Sequence, residues 1–198
     1  MTARSTYPVD ASIHAEAVEA AGPLARGQPL LAALSGAHTS PRVRYRMPTV
    51  SVEEVVDVGR EALFAVLTDH ESYGRFRGVQ SCTLIRDGKP ERNGLGAIRR
   101  AQLGGPAVLD EEIVVFEAPA VYEYRVIRAR PFPVKHTLGR VELEALGPNR
   151  TKVTWTSIFD IPLPVVGKRI ANHAAPRFER AFRSTIQTAA RFALDAAA

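Results

Sequence analysis

Residues 135–159 read KHTLGRVELEALGPNRTKVTWTSIF, two strands joined by a turn. Gly147-Pro148-Asn149 carries the turn chemistry. On either side of it, polar and apolar residues alternate with the period of two that a half-buried strand requires. From Lys135 to Leu146, Arg140, Glu142 and Glu144 take the water side. That phase puts Thr137, Gly139, Val141 and Leu143 inside and His136 outside. From Arg150 to Phe159, Lys152, Thr154 and Thr156 face out, leaving Val153, Trp155, Ser157 and Phe159 inside.

Downstream, residues from about Pro164 to Ala197 change to a helical period. Ile170, Ala174, Phe178, Ala181, Phe182, Thr185, Ala189 and Phe192 form the expected apolar stripe, opposite Arg180, Arg183 and Gln187. Pro176 is expected to kink this helix or to split off its first turn. Upstream, Val50, Val52, Val55, Val56 and Val58 make a β-branched first strand. Leu63, Phe64, Val66 and Leu67 then fit a short helix, and Tyr73 and Phe76 a second turn. Four more strands follow at Val79–Arg86, Gly96–Leu103, Ala107–Glu117 and Val121–Ala129, bounded by Asp87-Gly88, Gly104-Gly105-Pro106, Ala118-Pro119-Ala120 and Pro131-Phe132-Pro133. In the last of these, Tyr122, Tyr124, Val126 and Arg128 share the inward phase. The expected class is α+β: seven antiparallel strands in a curved sheet, two short helices after the first strand, and one long terminal helix. A single helix laid on a bent sheet leaves room for a pocket between them.

The chain has 198 residues, enough for one domain of substantial core plus a tail. Residues 1–48 differ in composition and are expected to form a partly helical or disordered extension, with helices over Asp10–Ala21 and Pro29–Leu34. No apolar run approaches the length of a membrane span, and the amino-terminal stretch lacks a secretory pattern. The single cysteine, Cys82, excludes an internal disulfide and fits a cytoplasmic protein in which it is a small buried group. A net charge of +5 raises the question of nucleic acid, but the basic residues are interleaved with acids and lack a stacking platform. Histidines at 14, 38, 70, 136 and 173 have no metal-ligand spacing, so no metal and no cofactor are expected. Gly94-Leu95-Gly96 lacks a P-loop Lys, and no Gly-x-Ser-x-Gly elbow occurs.

Three stretches resemble the START-like (SRPBCC) superfamily, with the polyketide cyclase/dehydratase group nearest. They are Gly94-Leu95-Gly96-Ala97-Ile98-Arg99 leading into the third strand, Asp110-Glu111-Glu112-Ile113 in the fourth, and Val153-Thr154-Trp155 in the last. The resemblance spans about residues 49–197 and implies a helix-grip fold with an apolar cavity between sheet and helix. It implies binding of lipids, sterols, polyketides or quinones, and in some members cyclisation or dehydration. Abscisic acid receptors of this superfamily close a loop over the ligand, and Gly104-Gly105-Pro106-Ala107 stands where that loop would be. The same correspondence implies Glu111, Tyr124 and Val126 in the cavity wall, with Ala181 and Thr185 on the helix side.

Together these readings give an expected ligand-contacting set of Tyr73, Phe76, Arg99, Glu111, Ile113, Tyr122, Tyr124, Val126, Arg128, Val141, Trp155, Ser157, Phe159, Phe178, Ala181, Phe182 and Thr185. Glu111 sits mid-strand among apolar neighbours, where a carboxylate is costly unless paired. It is either a cavity acid able to exchange a proton or one half of an ion pair with Arg99 or Arg100. The rings of Tyr122 and Tyr124 suit ligand contact or plain core packing, and Trp155 suits the core or the pocket floor. His136 and His173 read as surface or loop residues. The expected function is binding of a hydrophobic small molecule, with a cyclase or dehydratase using the same cavity as the alternative and Glu111 as its candidate acid–base group. A third reading has the basic amino-terminal segment recruit a partner. A monomer or a homodimer fits, as does transient contact with a membrane surface; specific binding of nucleic acid is not expected.

Overall fold

A computed structural model of the chain describes residues 47–196. The helices expected over Asp10–Ala21 and Pro29–Leu34 lie outside the described residues. Seven strands, β1 (Thr49–Val56), β2 (Val79–Arg86), β3 (Ile98–Leu103), β4 (Val108–Glu117), β5 (Val121–Arg130), β6 (Lys135–Gly147) and β7 (Arg150–Asp160), form one sheet in the order β1-β7-β6-β5-β4-β3-β2. Every neighbouring pair is antiparallel. Between β1 and β2 lie α1 (Arg60–Thr68) and a 3-10 helix (His70–Arg75), and α2 (Gly167–Asp195) ends the order. This is the expected helix-grip α+β fold: a curved sheet with a long carboxy-terminal helix.

The α2 helix lies against β1, β7 and α1, while the 3-10 helix covers β2. Leu63, Phe64 and Leu67 of α1 are buried at helical spacing. The Tyr73 hydroxyl donates to the Leu67 carbonyl at 2.7 Å, satisfying one of the acceptors that a helix end leaves open. The α2 helix runs unbroken through Pro176, so the expected split does not occur. Its buried stripe is Ala171, Ile186, Ala189, Ala190 and Ala193, with Phe182 and Phe192 half-buried. Ile170 and Ala181, expected on that stripe, are exposed. Because the helix leans toward β1 and β7 rather than the sheet centre, its inward face is rotated from the expected one.

Irregularities in three strands change which side chains face inward. Glu111 pairs with Val126 and Asp110 with Arg128, so Ile127 is an extra residue on β5. His136 pairs with Phe159 and Leu138 with Ile158, making Thr137 extra on β6. Ile113 pairs with Tyr124 and Val115 with Glu123, leaving Val114 extra on β4. One inserted residue inverts the alternation beyond it. Arg128, expected inside, is therefore exposed opposite Asp110, and Thr137 is exposed too. His136, expected outside, turns inward onto the Tyr124 ring.

Candidate functional site

The inner face of β3, β4 and β5 carries a cluster of polar side chains where an ordinary core would be apolar. Arg99 on β3 stands directly opposite Glu111 on β4. Cross-strand partners of this kind have Cβ atoms about 5 Å apart, close enough for a direct ion pair. Arg99 Nε donates to Glu111 Oε2 at 2.7 Å, and the Arg99 side chain is only 3% exposed. Of the two alternatives for Glu111, the structure holds the ion pair, with Arg99 as partner. Arg100 points to the outer face and makes a bidentate pair with Asp110 at 2.7 and 2.8 Å.

A second Arg99 nitrogen, Nη1, donates to His70 Nδ1 at 3.0 Å. Arginine has no acceptor, so Nδ1 must be the unprotonated nitrogen and Nε2 carries the hydrogen. That hydrogen goes to the Asn93 carbonyl, 3.0 Å away. The guanidinium also lies over the Tyr73 ring at 4.6 Å and the Tyr124 ring at 5.2 Å. Two aromatic faces and a carboxylate thus offset the cost of burying the cation.

A chain of hydroxyls and rings extends from this ion pair toward α2. Tyr73 gives its proton to Leu67, so the Tyr122 hydroxyl, 3.3 Å away, donates to Tyr73. Trp155 Nε1 donates to the Tyr124 hydroxyl at 3.1 Å. The Trp155 indole stacks on Phe182 of α2, centroids 4.4 Å apart and planes within 3°. The Val126 amide donates to His136 Nδ1 at 3.2 Å, which leaves His136 Nε2–H to donate to Ser157 Oγ at 3.1 Å. Gly139 is what lets Tyr124 lie flat on β6, since any Cβ there would overlap the Tyr124 ring.

Burial, followed by the nearby Arg99 charge, lowers the pKa of His70 to about 2. Burial also pulls His136 down and pushes Tyr122 and Tyr124 up. The histidines are thus neutral with both nitrogens engaged, and the tyrosines keep their protons. Burial raises Cys82 to about 11, so it is an inert thiol. Among the described residues, no three His, Cys, Asp or Glu side chains converge as metal ligands would.

His70 makes stability depend on pH. Its folded pKa of about 2 lies below the ordinary value of 6.5, so below pH 6.5 the unfolded chain binds a proton that the folded chain refuses. Stability from this group is full above pH 6.5 and falls with acidification toward about pH 2. Each pH unit in that window removes about 1.4 kcal/mol, or about 2 kcal/mol by about pH 5. His136 acts in the same direction. Urea unfolding of His70→Gln across this range is expected to give a shallower slope than the parent chain. Equal slopes would show that His70 titrates normally in the fold.

Of the expected contact set, Tyr73, Phe76, Arg99, Glu111, Ile113, Tyr122, Tyr124, Val141, Trp155 and Ser157 are buried on or against the inner face of the sheet. Phe182 is half-buried and meets them from α2. Val126 and Thr185 are half-buried. Phe159 belongs to a smaller cluster with Val50 and Ala171. Phe178, expected among the contacts and on the buried stripe of α2, is exposed, its ring edge-on to Phe159 with centroids 5.1 Å apart. Arg128 and Ala181 stand outside, both exposed. Two participants were absent from the expected set, His70 and His136; a bulge hid the second, and no local signal marks the first.

The cluster is packed ring against ring. Two surface hollows, of about 440 Å³ beside Met47, Thr49 and Asn172 and about 550 Å³ beside Arg60, Glu142 and Lys152, lie elsewhere and are broadly open to solvent. No helix among the described residues is long and apolar enough to cross a membrane.

Similar folds occur in a START superfamily protein from Mycobacterium smegmatis and an aromatase/cyclase from a Streptomyces species. The first is 17% identical, with a TM-score of 0.61 over 73% of this chain and 98% of that one. The second is 18% identical, with a TM-score of 0.63 over 75% of this chain and 94% of that one. A Thermus thermophilus protein, 14% identical, matches 76% of this chain and all of its own length at a TM-score of 0.62. These likenesses concern the fold alone. No curated protein matches the chain. Residues 47–192 match the family described as polyketide cyclase / dehydrase and lipid transport, and the chain belongs to that family.

Proposed function

We propose that the chain is a cytoplasmic binding protein for an apolar, partly aromatic small molecule held between the inner face of the sheet and α2. The observation that carries this reading is the row of interior polar groups from Arg99 and Glu111 through Tyr124 to His136 and Ser157. Most of that row stands on β3, β4 and β5, whereas α2 packs mainly on β1 and β7. A core serving only stability gains more from well-packed apolar residues than from a buried ion pair.

The route of entry in this reading is the place where the β5–β6 pairing ends. Their ladder ends at Tyr124 and Gly139, and beyond it the Val126 amide donates to the His136 ring. A ligand entering there meets Val126, His136, Phe178 and Phe182, and must displace Phe182 from Trp155 to go deeper. Affinity comes mainly from apolar surface removed from water, about 25 cal/mol per Å². Glu111 and the tyrosine hydroxyls supply orientation.

The cyclase or dehydratase alternative draws less support from this arrangement. Both histidines have both nitrogens engaged, and Glu111 is tied to Arg99, so the cluster offers no ready acid–base pair.

Trp155 is the only tryptophan of the chain, so its emission reports on the site directly. Titration with fatty acids, polyphenols and aromatic polyketides is expected to give a saturable one-to-one change for one class. Glu111→Gln is expected to weaken that binding about tenfold by disturbing one charge-assisted contact. An unchanged affinity removes Glu111 from the site. Linear, unsaturable quenching by every class removes the binding reading altogether.

A further inference from the structure

The geometry points to a membrane-docking surface: the end of the fold formed by the β5–β6 and β7–α2 connections seats on an anionic phospholipid bilayer. Antiparallel pairing brings these connections together, since Lys135 at the start of β6 pairs with Asp160 at the end of β7. Both present apolar tips to solvent. Phe132, between two prolines, is 67% exposed, and Val165 is 90% exposed. Ile170, on the first turn of α2, is exposed as well.

Val165 has a φ of 65°. This left-handed region is strongly disfavoured for a β-branched residue, and such strain persists where it serves a role. A turn needing only that shape would carry Gly or Asn. Here the strain holds an apolar side chain out into water.

The charge around the tips has one dominant sign. Arg128, Arg130, Lys135 and Arg169 are exposed around them. The acids beside them are Asp160 at the end of β7 and Asp110, which lies opposite Arg128 and is already paired with Arg100. Separated apolar tips, each beside a cation, match a surface that is soft, apolar beneath and negative above. A protein partner would instead need a broad, shape-complementary face with a closely packed centre. The unpaired ends of β5 and β6 lie at the same end, so a docked molecule turns them toward the bilayer. The docking surface goes beyond the ligand-binding reading and does not depend on it.

The test is flotation of the full chain with vesicles of phosphatidylcholine alone and of phosphatidylcholine mixed with phosphatidylglycerol. The parent chain is expected to bind the mixed vesicles, less so as salt rises, and to bind phosphatidylcholine weakly. The triple variant Arg130→Gln, Lys135→Gln, Arg169→Gln is expected to lose about two orders of magnitude in partitioning, from roughly fivefold per cation. Val165→Asn relieves the backbone strain, so it should melt no lower than the parent while binding several-fold more weakly. Phe132→Ser should weaken binding about tenfold. Three results would overturn the proposal: no preference for phosphatidylglycerol in the parent chain, variants that bind as well as the parent, or self-association of the parent that Phe132→Ser abolishes.

Discussion

Arg99→Met is expected to destabilise the fold by about 3–5 kcal/mol, because it leaves the Glu111 carboxylate buried without its cation. The same change takes the donor from His70 Nδ1 and the cation from the faces of Tyr73 and Tyr124. The double variant Arg99→Met, Glu111→Leu is expected to recover most of that loss, since two apolar side chains of similar volume need no pairing. Urea unfolding of the parent, both single variants and the double gives the coupling energy directly. A single-variant cost below about 1 kcal/mol would mean that the pair is hydrated, as surface pairs are. Full recovery in the double variant would also show that the ion pair is dispensable for folding, which strengthens the case for its role in recognition.

The second large effect is expected at Trp155. Replacing it by alanine removes the ring stacked on Phe182 and the donor to the Tyr124 hydroxyl. The expected cost is about 3–5 kcal/mol, typical of a large aromatic lost from a core that cannot fully collapse. Gly139 and the Tyr124 ring above it limit how far the neighbours can close in. Thermal unfolding followed by far-ultraviolet circular dichroism checks this. A loss below about 1 kcal/mol would show that α2 is only loosely seated on β7 at this point, and that the Trp155–Phe182 stack is not a structural tie.

Much of this arrangement is legible in the chain itself. Turn dipeptides and period-two patterns place all seven strands, because strands such as β5, β6 and β7 alternate a water face with a buried one and the turns bound the rest. The pairing of Arg99 with Glu111 was foreseeable as one of two choices; deciding between Arg99 and Arg100 takes the phase of β3, which a short strand with mixed residues does not display. The bulges are the deeper obstacle. Thr137 and Ile127 look like ordinary members of alternating strands, yet each inverts the faces beyond it. That inversion sends Arg128 out to Asp110 and brings His136 in to Tyr124 and Ser157. His70 joins the cluster through a fold-level contact, 29 residues from Arg99, which no local pattern encodes. On α2 the abundance of alanine blurs the apolar stripe, so small residues on several faces compete and packing against β1 and β7 selects among them.

The central proposal is that an apolar guest binds between sheet and helix. Native mass spectrometry of the full chain, purified gently and then exposed to the panel of fatty acids, polyphenols and aromatic polyketides, tests it most directly. The account predicts a one-to-one adduct of an apolar molecule that survives desolvation and disappears when a bulkier side chain at Val126 blocks the route where the β5–β6 pairing ends. A chain that flies only at its own mass, before and after that exposure, would contradict it.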